Sequence, residues 1–130
     1  MNTMLKHRRA AAAGIAALGC AAVVPVATSA AASKPEVVTK KVSVGDDFFN
    51  PTKLTIKKKN AINFVWNKSN YDSHNVTLIK GPKGVKHSKF TSITGTIGIH
   101  FNRQFLTPGT YHFICTIHPG TMNLTVIVKK

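Results

Sequence analysis

From residue 37 to residue 129 the apolar side chains recur at every second position, in short runs broken by turn-forming residues. A period of two places alternate side chains on opposite faces of an extended chain, and it does not fit the 3.6-residue period of an amphipathic helix. Residues 37–44, 53–57, 61–67, 74–80, 110–115 and 122–129 read as strands, with weaker ones at 89–92 and 96–101. In 61–67, Ile62, Phe64 and Trp66 share a face while Asn63 and Asn67 look the other way. Gly45-Asp46-Asp47, Lys58-Lys59-Asn60 and Pro108-Gly109 supply turns, and 81–88 is a Gly/Pro/Lys loop. No segment carries a convincing helix pattern. About seven to eight short strands with turns at this spacing predict an all-β fold, an antiparallel Greek-key β-sandwich. Its branched and aromatic residues suit pleated, half-buried surfaces.

The first 32 residues have a different character. Lys6, Arg8 and Arg9 open the chain, an apolar stretch runs from Ala10 to about Val26, and Thr28 to Ala32 are small. A basic start, an apolar middle and a small-residue exit describe a secretory signal peptide. Residues 1–32 are therefore expected to be a signal peptide removed after Ala32, and residues 33–130 a single domain. The other reading, an uncleaved membrane anchor, fits less well because the run is short and Pro25 interrupts it. The mature protein is then expected to have no transmembrane segment, to be a monomer, and to lie in the periplasm, at the cell surface or outside the cell.

Residues 33–130 keep 15 of the 18 Lys and Arg against four acids, Glu36, Asp46, Asp47 and Asp72, for a net charge of +11. Such a charge speeds encounters with acidic partners or anionic surfaces. The lysines are scattered and no nucleic-acid-binding motif accompanies them, so nucleic acid is not expected as a partner. With Cys20 inside the signal peptide, Cys115 is the only cysteine of the exported domain. Exported proteins pair their cysteines, so a single thiol needs a chemical reason.

That reason lies in Tyr111-His-Phe-Ile-Cys-Thr-Ile-His-Pro-Gly-Thr-Met122. On a strand, Tyr111, Phe113 and Cys115 point to one face and His112 and Ile114 to the other. The first set is the more apolar, which turns Cys115 inward. Cys115, His118 and Met122 then form Cys-x2-His-x3-Met, a thiolate, an imidazole and a thioether on one loop. One thiolate, imidazoles and a weak thioether suit copper in a trigonal site with a long axial ligand, whereas zinc takes four strong ligands. A second, distant histidine is needed. His87 lies among lysines, and His100 and His112 have outward parity. His74 stands where a polar loop enters an apolar strand, and it is the chosen partner. Taken singly, Cys115 also reads as a buried inert thiol and Met122 as core filler.

Several stretches together resemble the cupredoxins, the blue-copper family of plastocyanin, amicyanin, pseudoazurin and azurin. They are Phe49-Asn-Pro-Thr-Lys-Leu-Thr-Ile56, Asn63-Phe-Val-Trp-Asn67, His74-Asn75-Val76, and Pro108-Gly-Thr-Tyr111 through Pro119-Gly120. The resemblance spans about residues 37–129. Carried over position by position, it implies one type 1 copper ion with equatorial ligands His74, Cys115 and His118 and axial Met122. It also implies that Asn75 ties the first ligand's strand to the cysteine loop near Thr116. Two positions depart from the pattern. Met122 stands four residues after His118, where close relatives with Cys-x2-His have Met three or five on. The family's Gly-Asp turn before the tryptophan strand is Lys59-Asn60 here.

The function expected is single-electron transport by Cu(I)/Cu(II) cycling with an acidic redox partner, the edge of His118 serving as the port by family resemblance. No open coordination site, general base or activated nucleophile is evident, so enzymatic activity is not expected. The alternative is a copper-binding or copper-delivery protein without redox turnover.

Overall fold

A computed structural model describes Gly19 and residues 32–130, and the expected signal peptide lies outside these residues apart from Gly19 and Ala32. All strands below fall within the unit Lys34–Lys130. In chain order they are β1 (Thr39–Gly45), β2 (Phe48–Asn50), β3 (Lys53–Lys57), β4 (Ala61–Trp66), β5 (Thr77–Lys80), β6 (His100–Gln104), β7 (Gly109–Ile114) and β8 (Asn123–Lys129). They form two four-stranded sheets, ordered β2-β1-β4-β6 and β3-β8-β7-β5. No helix among the described residues is long and apolar enough to cross a membrane.

The alternation in the sequence becomes the two inner faces of a sandwich. Ile62, Phe64 and Trp66 of β4 are buried, and the register sets Val42 beside Phe64 and Val44 beside Trp66. On the facing sheet Tyr111 lies opposite Val126 and Phe113 opposite Leu124. Phe64 and Phe113 meet between the sheets with ring centroids 5.7 Å apart. Cross-strand apolar pairs of this kind are what stabilise a sheet.

The eight-stranded all-β sandwich agrees with the sequence, but the sheets are mixed rather than wholly antiparallel. β1 runs parallel to β4, and β3 parallel to β8. The chain leaves the first sheet at Pro51, between β2 and β3, and returns to it at β4. Face parity says which side chains point inward, and it carries no information about which strand becomes the neighbour.

Three stretches differ locally from the expectation. Of residues 89–92, expected as a weak strand, Lys89 and Phe90 lie instead in a 3-10 helix at His87–Phe90, and Thr91 makes only an isolated bridge to Thr77. There Phe90 packs on Phe105 and Tyr111, at 5.2 and 5.6 Å between centroids, and this tertiary contact outweighs the local pattern. The weak strand at 96–101 forms later, at His100–Gln104. The strand expected from residue 74 starts at Thr77, because His74 makes only an isolated bridge to Gly95. Lys59, where the family carries glycine, adopts a φ of 74°. This left-handed conformation costs a side-chain-bearing residue about 1–2 kcal/mol. It is held by the bonds from Lys59 N–H to the Phe105 carbonyl and from Gln104 to the Lys59 carbonyl.

Candidate metal centre

Cys115 follows the last residue of β7 on the inward parity of Tyr111 and Phe113, and all three are buried. The chain then turns through residues 116–121 and re-enters the second sheet as β8. Cys115 N–H donates to the Met122 carbonyl at 3.2 Å, while the His118 carbonyl accepts from Met122 N–H at 3.0 Å and Thr121 N–H at 3.3 Å. The loop is thus clamped at its base, and His118 is folded back over Cys115. Met122 is itself fully buried.

His74 arrives from the loop between β4 and β5. A reciprocal pair of backbone bonds with Gly95, 2.9 and 3.1 Å, fixes its main chain, and its carbonyl accepts from the Trp66 indole N–H at 3.2 Å. Its ring is wholly buried. The Nδ1 atoms of His74 and His118 lie 3.2 Å apart, and His118 Nδ1 is 3.9 Å from the Cys115 sulfur. All three donor atoms fall within 4.8 Å of one another. One thiolate and two imidazoles so placed fit a single copper ion. His87 and His100 are exposed and His112 pairs with the Thr125 hydroxyl, so none of them joins the cluster.

Asn75 joins the two halves of the site. Its amide nitrogen donates to the hydroxyls of Thr116 at 2.7 Å and Thr94 at 3.1 Å, and its side-chain oxygen accepts from Thr116 N–H at 2.9 Å. Its backbone N–H points at the Cys115 sulfur, 3.4 Å away. These are the contacts between the first histidine's segment and the cysteine loop that the resemblance implies. Such outer bonds orient ligands and tune a metal.

Two residues of the centre were read from sequence only as turn formers and as two of the four acids of residues 33–130. Asp46 Oδ1 lies 3.0 Å from His74 Nε2, and Asp47 Oδ1 lies 3.6 Å from His118 Nε2. The His74 ring and the backbone N–H groups of Tyr71 and Asp72 hold the Asp46 carboxyl below its ordinary range, against an opposing effect of burial. Nothing in the spacing signals either contact. The β1–β2 turn reaches the site only because β1 pairs with β4, the strand that leads to the His74 loop.

A family model for copper-binding proteins of the plastocyanin/azurin family matches residues 36–129. No curated protein sequence matches the chain. Among solved structures, an oxidised plastocyanin from Dryopteris crassirhizoma is 28% identical, with a TM-score of 0.53, over 68% of this chain and 99% of that one. A reduced amicyanin variant is 21% identical, with a TM-score of 0.57, over 70% and 82%. A copper-containing nitrite reductase from Thermus scotoductus is 28% identical, with a TM-score of 0.59, over 88% of this chain but only 27% of the reductase. With the family's pattern running the length of the sandwich and sulfur and imidazoles gathered at one end of it, this chain belongs to the copper-binding plastocyanin/azurin family, the cupredoxins.

Proposed function

We propose that the protein is an exported, monomeric single-electron carrier whose copper ion would be held by His74, Cys115, His118 and Met122. The observation that carries this reading is the convergence of the three donor atoms inside a hydrogen-bonded frame. Bound copper would supply the Cu(I)/Cu(II) couple. The protein's part is to hold the donors still. The Gly95 bridge fixes His74, Asn75 fixes Thr116, and the Met122 backbone closes the loop around His118. Donors fixed in this way move little between oxidation states, which keeps reorganisation small.

The Asn75 N–H aimed at the Cys115 sulfur withdraws electron density from the thiolate, which helps to set the potential. His118 is the exposed member of the set, with 23% of its side chain accessible, while His74 has none. Its rim, with the exposed Ile117 and Pro119 beside it, is the electron port. The chain acts as a carrier rather than an enzyme. Residues 1–32 act as its export signal, and an acidic protein is its redox partner.

The test is to add Cu(II) to purified protein beginning at Ser33 and record the visible spectrum. An intense thiolate-to-copper band is expected, and Cys115→Ser should abolish it; absence of the band from the wild-type protein sinks the proposal. Voltammetry of the same sample separates the two roles. A fast reversible couple supports the carrier, and irreversible behaviour supports copper binding without redox turnover.

A further inference from the structure

We propose that Asp46 is a positioning residue that presents His74 Nδ1 to the copper site and, through its fixed charge, favours Cu(II) over Cu(I). This rests on the copper-carrier reading above.

The inference begins with scarcity. Residues 33–130 contain four acids, and two of them, Asp46 and Asp47, sit side by side in the turn between β1 and β2. Asp46 does not behave as a solvated surface acid. Both of its carboxylate oxygens accept from Tyr71 N–H, at 3.2 and 3.0 Å, and Oδ1 also accepts from Asp72 N–H at 3.2 Å. The carboxylate is thereby tied to the loop that delivers His74, and Oδ1 reaches that ring's Nε2 at 3.0 Å.

An ionised carboxylate only accepts hydrogen bonds, so in the neutral His74 ring, the form that can ligate, the proton sits on Nε2. The Nδ1 lone pair is then free, and Nδ1 is the atom that faces His118 and the cysteine loop. A ligating imidazole that donates its other N–H to a carboxylate is oriented by that bond and becomes a stronger donor. The added negative charge also stabilises the more highly charged metal state. Both effects act in the same direction, toward tighter Cu(II) binding and a lower reduction potential. Asp47 is a natural comparison. It carries the same charge one residue away, but its side chain is 58% exposed and lies 3.6 Å from His118 Nε2, with no backbone anchor among the described residues.

The experiment compares copper-loaded wild type, Asp46→Asn and Asp47→Asn by competition titration for each oxidation state and by voltammetry. Asparagine keeps the side chain's shape and one acceptor oxygen, so loss of charge is separated from loss of the loop anchor. Asp46→Asn is expected to lower Cu(II) affinity about tenfold with Cu(I) affinity little changed. That ratio corresponds to a rise in potential of about 59 mV. Asp47→Asn should give a clearly smaller shift. No shift in Asp46→Asn, or equal shifts in the two variants, overturns the proposal. A second measurement needs neither metal nor variant: long-range proton–nitrogen NMR of the metal-free wild type should find the His74 proton on Nε2, and a proton on Nδ1 overturns the proposal. Failure of the carrier reading looks different, as wild-type protein that gives no blue band or no reversible couple.

Discussion

Asn75 follows directly on His74 and grips the loop that carries Cys115 and His118, so one side chain sets the distance between the halves of the site. It makes three bonds to Thr94 and Thr116 and accepts a fourth from the Thr77 hydroxyl at 3.3 Å. Replacing it by alanine removes these bonds and strands the Thr116 N–H. At about 1 kcal/mol per bond, with more for a donor left unpaired, Asn75→Ala should cost about 2–4 kcal/mol in urea unfolding. It should also broaden the copper band as the donors lose their fixed spacing. Tyr111 gives a prediction in pH. Its hydroxyl donates to the Thr107 carbonyl at 2.7 Å, and burial pushes its pKa above the ordinary 10.0. The folded state therefore keeps this proton after the unfolded chain has lost it. Stability from this group is intact below about pH 10 and falls as pH rises beyond it. Urea unfolding between about pH 8 and pH 11 should show the decline, and Tyr111→Phe should flatten it relative to wild type. At this scale the inward aim of Cys115 was legible, because strand parity is local. The Asp46 contact was not, since it joins residues 28 positions apart through a strand pairing that no local pattern encodes.

Among the elements, β8 is the one on which both the sandwich and the site depend. It pairs with β3 on one side and β7 on the other, and it closes the loop that begins at Cys115. Leu124, opposite Phe113, is buried in the core. Leu124→Ala should cost about 2–5 kcal/mol, from lost apolar burial and the cavity left behind. Ile79 on β5 is apolar too but exposed, and Ile79→Ala should stay within about 0.5 kcal/mol. Denaturant midpoints of the two variants check the contrast. The inward faces and the main strands β1, β3, β4, β7 and β8 followed from the sequence, because period two is a property of the extended chain itself. The parallel pairings β1–β4 and β3–β8 did not, because they depend on where the chain changes sheets. The 3-10 helix at His87–Phe90 was missed for a related reason: its Phe90 is held by rings from distant segments.

For the whole molecule, charge governs encounter. A net charge of +11 over residues 33–130 attracts anions at low salt, and the Debye length shortens from about 30 Å at 0.01 M to about 8 Å at 0.15 M. Oxidation of the reduced protein by hexacyanoferrate(III), an anion, should therefore slow as salt is added. Oxidation by a cationic cobalt complex should speed up. Stopped-flow traces over this salt range test the pair, and like trends for both oxidants would mean that surface charge does not steer the reaction. The sequence by itself determined the all-β class, the inner faces, the basic surface and the donor types, because these follow from side-chain chemistry and near-neighbour spacing. Only the tertiary structure decided which strands lie side by side and that the acid at position 46 caps the His74 ring. Those contacts arise between segments far apart in the chain, and the packing of two sheets brings them together.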